Sequence, residues 1–551
     1  MPTLLERLAA RLAYYHAGHT YRSFVRTLRR THAVQKSVLR AALNQLRGSD
    51  FSRHFNLDRV RTVDEFRRAV PIMTYDDHWP WIERVAGGET HALFRRGTPL
   101  IMFATSSGTT ARQKLVPVTP TFVREYRRGW NTFGLKLFSD HPQAVLRAIL
   151  QSTGRYDSSR SPSGIPCGAI TGLLARTQKR IVRRFYVGKP EIANLESPQS
   201  RYYALMRLGA ERDVAFAITA NPATLIQLAR TMETRAAVII RDIRDGTIDA
   251  DLVPDDAVRA ALLEYVQPNP ARARELESIV DRCGNLRPRD VWRLTFLACW
   301  TGGSMGHYLP RLPEYWGTLP IRDIGLLASE GRISIPLADE SPAGVLDIRS
   351  GFLEFMPLEE WGAGSPSTRL PHELEPGRRY VVVLTNFSGL CRYRLDDVVR
   401  VVDRFEGVPV VEFLHRAGRV SSLTGEKLTE NQVVEAVRLA CRARELATFD
   451  FIACPVWSDP PSYRLNTELS LPQDFATHLD TALRDQNAEY ADRRTSGRLG
   501  PVTVRHLAAG TLARFDSQLL ESRGGAAEQY KRPCLFTAPG EDVDKLRTGP
   551  P

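Results

Sequence analysis

The sequence predicts an α/β protein with α+β elements: a large N-terminal domain over residues 1–414, with mixed β-sheets and a β-rich subdomain, and a smaller C-terminal α+β domain over residues 415–551. Three observations predict it. Short apolar runs alternate with helical stretches between about residues 99 and 325, the arrangement of strands buried between helices. After about residue 343 strand-like runs follow one another, at 345–348, 352–356, 380–385, 398–402 and 408–413, several of them separated by Gly or Pro. Beyond His415 comes a smaller set: a helix near 430–444, strands near 449–456 and 502–506, and a helix near 472–485. A chain of 551 residues is long enough for two or more packed units.

The elements follow from local chemistry. Leu4, Leu5, Leu8 and Leu12 share a helical face, and Arg7 and Arg11 interrupt the apolar core a leader would need, so residues 1–50 read as packed helices. Thr62, followed by Asp64 and Glu65, caps a short helix that ends near Val70-Pro71. Residues 99–104 form a strand running into a polar turn, and 115–118 the return strand. Thr119 or Thr121 then caps a helix through Phe122, Tyr126 and Trp130. Further strands are expected at 144–150, 213–218, 293–298 and 321–325, and a helix at 202–208. Asn221-Pro222 opens a long helical stretch, with Pro in the first turn where its missing N–H does no harm.

Composition excludes several classes. Apolar residues make up 43% and charged residues 25%, the balance of a globular protein rather than a disordered or collagenous one. The longest apolar runs, such as Val381-Val382-Val383-Leu384, fall far short of the roughly 18 residues a membrane helix needs. The net charge of +13 suits a phosphate-bearing ligand, but the basic residues are scattered and no nucleic-acid motif accompanies them. No nucleic-acid or membrane partner is therefore expected. Seven Cys without a CxxC pair, and twelve dispersed His, argue against a disulfide framework or a zinc module and for a reducing, cytoplasmic setting. Only eight basic residues are Lys: 36, 114, 136, 179, 189, 427, 531 and 545. Where Arg serves so widely, a retained Lys marks a place for a compact point charge rather than a planar fork.

Three segments carry chemistry. Thr105-Ser106-Ser107-Gly108-Thr109-Thr110-Ala111-Arg112-Gln113-Lys114 is a hydroxyl-rich turn whose backbone N–H groups suit phosphate oxygens, with a Lys adding charge. It lacks the Walker spacing, and taken alone it is equally an ordinary loop. In Gly325-Leu326-Leu327-Ala328-Ser329-Glu330-Gly331, a Glu330 facing phosphates would hold Mg²⁺, whereas a lone Glu is usually just solvated. In Arg392-Tyr393-Arg394-Leu395-Asp396-Asp397, the paired Asp are either turn residues or acceptors for ribose hydroxyls.

In order and spacing these segments resemble the adenylate-forming superfamily, and most closely its GH3 family of acyl acid–amido synthetases. Trp300-Thr301-Gly302-Gly303, followed by Tyr308 and Pro310, resembles the family's second glycine loop. The run from Leu384 through Thr385-Asn386-Phe387-Ser388-Gly389 to Arg392-Tyr393-Arg394 resembles its central signature. Gly425-Glu426-Lys427-Leu428 resembles a turn of bacterial-type members, and Gln529-Tyr530-Lys531 the family's Gln-Tyr-Lys near the C-terminus. The likeness runs from about residue 50 to 537.

The resemblance implies an ATP-dependent ligase. It would adenylate a small carboxylic acid with Mg-ATP and pass the acyl group of the acyl-AMP to an amine, commonly an amino acid. It implies that Ser106, Ser107, Gly108, Thr109, Thr110 and Lys114 bind phosphate, that Gly302 and Gly303 belong to the nucleotide site, and that Ser329 and Glu330 form the ATP and Mg²⁺ motif, with Glu330 as metal ligand. Asp397 matches the ribose-binding Asp and Arg416 the Arg between the domains. Lys531 matches the Lys that a mobile small domain brings to the adenylation site, and Lys114 and Lys531 are the catalytic pair. Segment 164–172 resembles one lining the acid pocket, with Phe122, Tyr126 and Trp130 as further candidates; such aromatics are more often core. The chain departs from the pattern at Ala111 and Asp396, where Gly is usual, and at Leu326, where an aromatic is. Neither the acid, the amine nor an oligomeric state is specified.

Other readings share parts of this pattern. An acyl-CoA ligase uses the same first half-reaction with a different acceptor, and a non-catalytic nucleotide-binding protein would keep the loops alone. Gly302-Gly303-Ser304-Met305-Gly306 fits the GxSxG of a serine hydrolase, with His372, His415 and His506 available. Pro310 stands where the helix after such an elbow should continue.

Overall fold

The computed structural model describes residue 15 and residues 18–106, 114–418, 420–424, 426–522 and 532–547. The chain divides into two compact units. The larger takes in the chain up to Thr301 and Leu312–Phe413. The smaller takes in Gly302–Arg311 and most of the chain from Leu414 onward. Segment Gly302–Arg311, which the sequence reading assigns to the large domain, thus clusters with the smaller unit. The helix expected over the first dozen residues lies outside the described residues.

In the larger unit, β1 (Met102–Ser106) and β2 (Lys114–Val118) form an antiparallel hairpin in which Ser106 pairs with Lys114. The short β4 (Ser159–Arg160) and β5 (Pro166–Gly168) extend it to a sheet of order β2-β1-β5-β4. A second sheet is wholly parallel: β3 (Ala148–Gln151), β6 (Val214–Ile218), β7 (Phe296–Cys299) and β8 (Ile321–Asp323), in that order. Every residue of β6 and β7 is buried, as strands covered on both faces must be.

The helices start where side chains can satisfy their free N–H groups. Thr62 and Glu65 form a capping box on the helix Val63–Ala69, and Thr119 caps Pro120–Asp140. Asn221 caps Pro222–Thr234, whose Pro occupies the first turn.

The third sheet is the β-rich part. Its strands are β11 (Ser334–Ile335), β12 (Ala343–Leu346), β13 (Phe352–Pro357), β14 (Arg379–Thr385), β15 (Tyr393–Phe405) and β16 (Val408–Arg416), in the order β11-β12-β16-β15-β14-β13. A two-residue hairpin, β9 (Leu327–Ala328) with β10 (Gly331–Arg332), precedes it. β15 begins five residues before the strand expected at 398, and the added stretch is irregular. Val381 pairs with Val398 but Val383 with Arg394, so four steps along β15 match two along β14. Such a bulge bends the strand and re-aims the side chains on it. One apolar core runs through the unit, from Phe24 and Phe51 through Phe103 and Phe216 to Leu384 and Val399.

The smaller unit packs the helices Glu430–Ala443 and Phe475–Gln486 with a sheet of β19 (Phe451–Val456), β20 (Ser462–Thr467) and β21 (Thr503–His506); the two-stranded pair β17 (Val420–Ser421) and β18 (Leu428–Thr429) leads into it. β20, which the sequence reading lacks, pairs antiparallel with β19 and parallel with β21. Its own core includes Val433, Val437, Phe451, Leu465 and Leu479.

Candidate functional site

Three distant segments of the larger unit meet where β1 ends and β2 begins. Lys114, the first residue of β2, donates through Nζ to the Tyr393 hydroxyl at 3.2 Å. The Tyr393 hydroxyl donates in turn to Glu330 Oε1 at 3.4 Å. Ser329 Oγ donates to the Thr105 carbonyl on β1 at 3.2 Å. The β9–β10 turn is thereby tied to both strands of the hairpin, and Lys114 and Glu330 share one phenol. The Lys114 ammonium also lies 5.2 Å from the centre of the Tyr75 ring, a cation–π contact.

The turn itself is held from behind. Asn386 Nδ2 donates to the Glu330 carbonyl at 2.5 Å, while its Oδ1 accepts from the Ser388 N–H and hydroxyl at 2.9 and 2.7 Å. Gly325 leads into the turn at φ +86°, and a Cβ there would lie 2.4 Å from the Ser334 carbonyl, so no other residue fits. Asp323 links two loops: Oδ1 accepts from Gly325 N at 2.6 Å, and Oδ2 accepts from Thr301 N and Oγ1 at 2.7 and 2.8 Å.

Ser329 and Glu330 are each only 6% exposed, yet Glu330 accepts a single long hydrogen bond among the described residues. A buried carboxylate with unused lone pairs is a fit donor for a hard cation. No group of three or more His, Cys, Asp or Glu side chains that would hold a metal is gathered among the described residues. A Mg²⁺ there fits only if phosphate oxygens complete its shell, which is how Mg²⁺ is commonly bound.

The two candidate Asp separate clearly. Asp396 sits in the β15 bulge at φ +62°, and its Oδ1 accepts from Arg394 Nε at 2.7 Å and Trp361 Nε1 at 3.4 Å. Its left-handed backbone explains why Gly is usual at this position, since Asp is among the few other residues that tolerate it. Asp397 follows on the same strand, four positions after Tyr393, and is half-buried.

Beneath the turn, Arg332 is buried and stacks on Trp130 and Phe133, at 4.5 and 5.5 Å. Its Nη1 donates to the carbonyls of Ile324 and Ser334, at 2.9 and 3.1 Å. Burial pulls its pKa down, against the opposing fields of Tyr126, Asp347 and Asp323. The helix Pro120–Asp140 approaches it at Gly129, where a Cβ would lie 2.7 Å from Arg332 Cδ. Phe122 and Tyr126 are core residues of that helix, 3% and 2% exposed.

The remaining expected residues are distributed as follows. Ser107, Gly108, Thr109, Thr110, Ala111 and Lys531 lie outside the described residues. Ser106 ends β1 opposite Lys114. Gly302, Gly303 and Arg416 belong to the smaller unit. After β7 the GxSxG segment forms a short 3₁₀ turn, Gly303–His307, not the α-helix of a nucleophile elbow, so the hydrolase reading has no structural support. Asn386, Tyr393 and Asp323 were not singled out by the sequence. The first two stand inside the quoted signature, and Asp323 carried no signal.

Comparison with known proteins agrees along the whole chain. The GH3 family N-terminal domain matches residues 20–321, the GH3 family central domain 344–416, and the GH3 family C-terminal domain 431–539. The jasmonoyl–L-amino acid synthetase GH3.5 of Oryza sativa subsp. japonica is 28% identical over 547 residues, 91% of each chain. The indole-3-acetic acid-amido synthetase GH3.8 of Oryza sativa subsp. indica is 26% identical, over 92% of this chain and 88% of that one. The solved structure of GH3.15 acyl acid amido synthetase superposes with a TM-score of 0.82 at 22% identity, over 95% of each chain, which shows a shared fold. The first of these models alone spans more than half of the protein, and on that ground the chain belongs to the GH3 family.

Proposed function

We propose that the protein catalyses ATP-dependent formation of an amide between a small carboxylic acid and an amine, most simply an amino acid. The chain is an acid–amido synthetase, a ligase of the adenylate-forming kind. The observation that carries this reading is the Lys114–Tyr393–Glu330 chain of contacts at the mouth of the hydroxyl-rich turn, in a protein of this family. In the first step a carboxylate oxygen of the acid attacks the α-phosphorus of ATP and pyrophosphate leaves. In the second the amine nitrogen attacks the acyl carbon, AMP leaves and the nitrogen loses a proton.

The residues divide the labour by their chemistry. Ser106, Ser107, Gly108, Thr109, Thr110 and Lys114 would cradle the phosphates, and Gly302 and Gly303 would add backbone to the nucleotide site. Glu330 would hold Mg²⁺, which supplies charge neutralisation on the leaving pyrophosphate. Tyr393 keeps the Glu330 carboxylate and the Lys114 ammonium at fixed separation, so their fields need no rearrangement during reaction. Asp396 is occupied by Arg394 and Trp361, and Asp397, which matches the family's ribose-binding Asp, would be the ribose acceptor. Residues 1–414 would act as the adenylation domain, and 415–551 would carry Arg416 and supply Lys531 to the carboxylate and α-phosphate.

The test is pyrophosphate exchange into ATP across a panel of carboxylic acids, followed by addition of amino acids or coenzyme A to the adenylated enzyme. Acid-dependent exchange with amide formation is the expected result. Thioester formation would favour a CoA ligase, and no exchange with any acid would leave only nucleotide binding. Lys531→Ala is expected to abolish exchange while sparing amide formation from synthetic acyl-adenylate.

A further inference from the structure

A second charged cavity lies elsewhere in the larger unit, away from the β1–β2 hairpin. It measures about 320 Å³ and is lined by Lys189, Arg212, Tyr265, Gln267 and Asn269 over an apolar base of Val187 and Leu208. None of these residues takes part in the contacts at Lys114 or Glu330. A cavity of this size is in the range of small-ligand sites, which combine apolar walls with a few convergent polar groups.

Its charge is unbalanced. Lys189 Nζ lies 4.7 Å from the centre of the Tyr265 ring and has no carboxylate within 4 Å among the described residues. Arg212 uses Nη2 on the Arg184 carbonyl at 2.9 Å and makes no ion pair among the described residues. The carboxylate that lines the cavity, Glu211, is already engaged by Arg207 at 2.6 Å. Glu191 acts on Lys189 from farther away, and Arg183 adds a further positive charge nearby. Burial, together with Arg212 and Arg183, holds the Lys189 ammonium below its ordinary pKa. Burial alone does the same to Arg212. Two partly desolvated cations that face one cavity with no direct ion pair among the described residues are stabilised by an anion that enters it.

We propose that this cavity is a binding site for a phosphate dianion, free or borne by a small metabolite, held between the Lys189 ammonium and the Arg212 guanidinium. A doubly charged oxyanion matches two cations that make no direct ion pair, and its oxygens suit the point charge of Lys and the N–H groups of Arg. The amides of Gln267 and Asn269 supply further donors at the rim. The site is separate from the nucleotide site proposed above and does not depend on that assignment.

The test is lysine footprinting on the full chain. Acetylation by an N-hydroxysuccinimide ester is followed residue by residue by mass spectrometry, at constant ionic strength, with inorganic phosphate or glycerol phosphate replacing chloride. At a phosphate concentration about ten times its Kd, Lys189 acetylation is expected to slow by roughly tenfold. The exposed Lys179 and Lys545 should be unchanged. Stronger protection by glycerol phosphate assigns a phosphate monoester, and stronger protection by inorganic phosphate assigns the free ion. Arg212→Met, checked for an unchanged thermal midpoint, should abolish protection at Lys189, and Arg212→Lys should retain part of it. Equal acetylation of Lys189 in phosphate and chloride would overturn the proposal, as would protection that survives Arg212→Met.

Discussion

Glu330 and Glu354 are both buried carboxylates attached to the same stretch of chain, and they are treated in opposite ways. Glu354 is saturated. Its Oε1 accepts from Arg67 Nε at 3.0 Å and Thr368 Oγ1 at 2.6 Å, and its Oε2 from Arg392 Nε at 3.1 Å. Arg392 also donates to the carbonyls of Val70 and Arg67, closing the end of the helix Val63–Ala69. Among the described residues Glu330 accepts one long bond, from Tyr393, the very next residue. Within Arg392-Tyr393-Arg394, then, one side chain turns inward to complete a closed network and the next turns toward an open one. A family signature read as a unit contains both kinds, and satisfaction of hydrogen bonds separates them. A saturated buried charge can only hold structure, whereas an unsaturated one retains capacity for a ligand.

The largest expected effect tests the closed side of this contrast. Arg392→Met leaves the Glu354 charge half-compensated and frees two helix-end carbonyls, so it should cost about 3–5 kcal/mol of folding stability. Denaturant unfolding measures it, and a loss below about 1 kcal/mol would show that the network is not closed as described. On the open side, Glu330→Gln should lower the acid-dependent ATP–pyrophosphate exchange rate by about 10²–10³-fold, the usual effect of deleting one preorganised electrostatic group. Its unfolding free energy should move by less than about 1 kcal/mol, since only one weak bond is altered. If both variants lost stability alike, the distinction between the two carboxylates would fail.

A third group lies against both regions. His78 is wholly buried, with Nδ1 on the Thr74 carbonyl at 2.9 Å and Nε2 accepting from the Cys391 N–H at 3.1 Å, so its neutral form is the one built in. Its ring packs edge-on against Tyr393 at 5.8 Å. Burial pulls its pKa from 6.5 down to about 4. Between those values the unfolded chain binds a proton that the folded chain does not. Stability is therefore full above pH 6.5 and falls as the pH drops toward 4, by about 3 kcal/mol in all from this group. Comparing the unfolding free energy of the wild type with that of His78→Gln across this range checks it. The variant should be less stable at neutral pH and show a flatter profile on acidification, and parallel profiles would remove His78 from the account.

Local signals were legible in the sequence wherever the cause is local. Thr62 with Glu65, Thr119 and Asn221-Pro222 mark helix starts because the cap bonds span only two or three residues. The parallel strands were legible from their apolar runs. The β15 bulge was not, because two extra residues show only against the register of β14. Nor was the Glu354–Arg392 pairing, whose partners are 38 positions apart and whose third member, Arg67, is 287 from Glu354. β20 (Ser462–Thr467) was missed for a different reason: Arg464, Asn466 and Thr467 interrupt its apolar pattern, and the buried Asn466 donates its amide to the Ile452 carbonyl. At the site, Glu330 and Lys114 were legible as motif members, while the phenol between them was recognisable only once the fold had joined residues 279 positions apart.

The smallest expected effect sharpens the contrast most, because it concerns two adjacent carboxylates. Asp396 occupies a left-handed position that Gly adopts without cost, and its carboxylate is spent on Arg394 and Trp361. Asp396→Gly gains backbone comfort and loses one half-exposed ion pair, so stability should change by less than about 1 kcal/mol. Nucleotide affinity, measured by calorimetry, should remain within a few-fold of wild type. Asp397→Ala should weaken nucleotide binding by about 1.5–3 kcal/mol, the usual worth of hydrogen bonds to a charged acceptor. Paired measurements on the two variants decide the assignment. If Asp396→Gly weakened binding as much as Asp397→Ala, the ribose acceptor would have to be sought in the pair acting together, and the bulge would be shaping the ligand site through both residues rather than presenting one and anchoring the other.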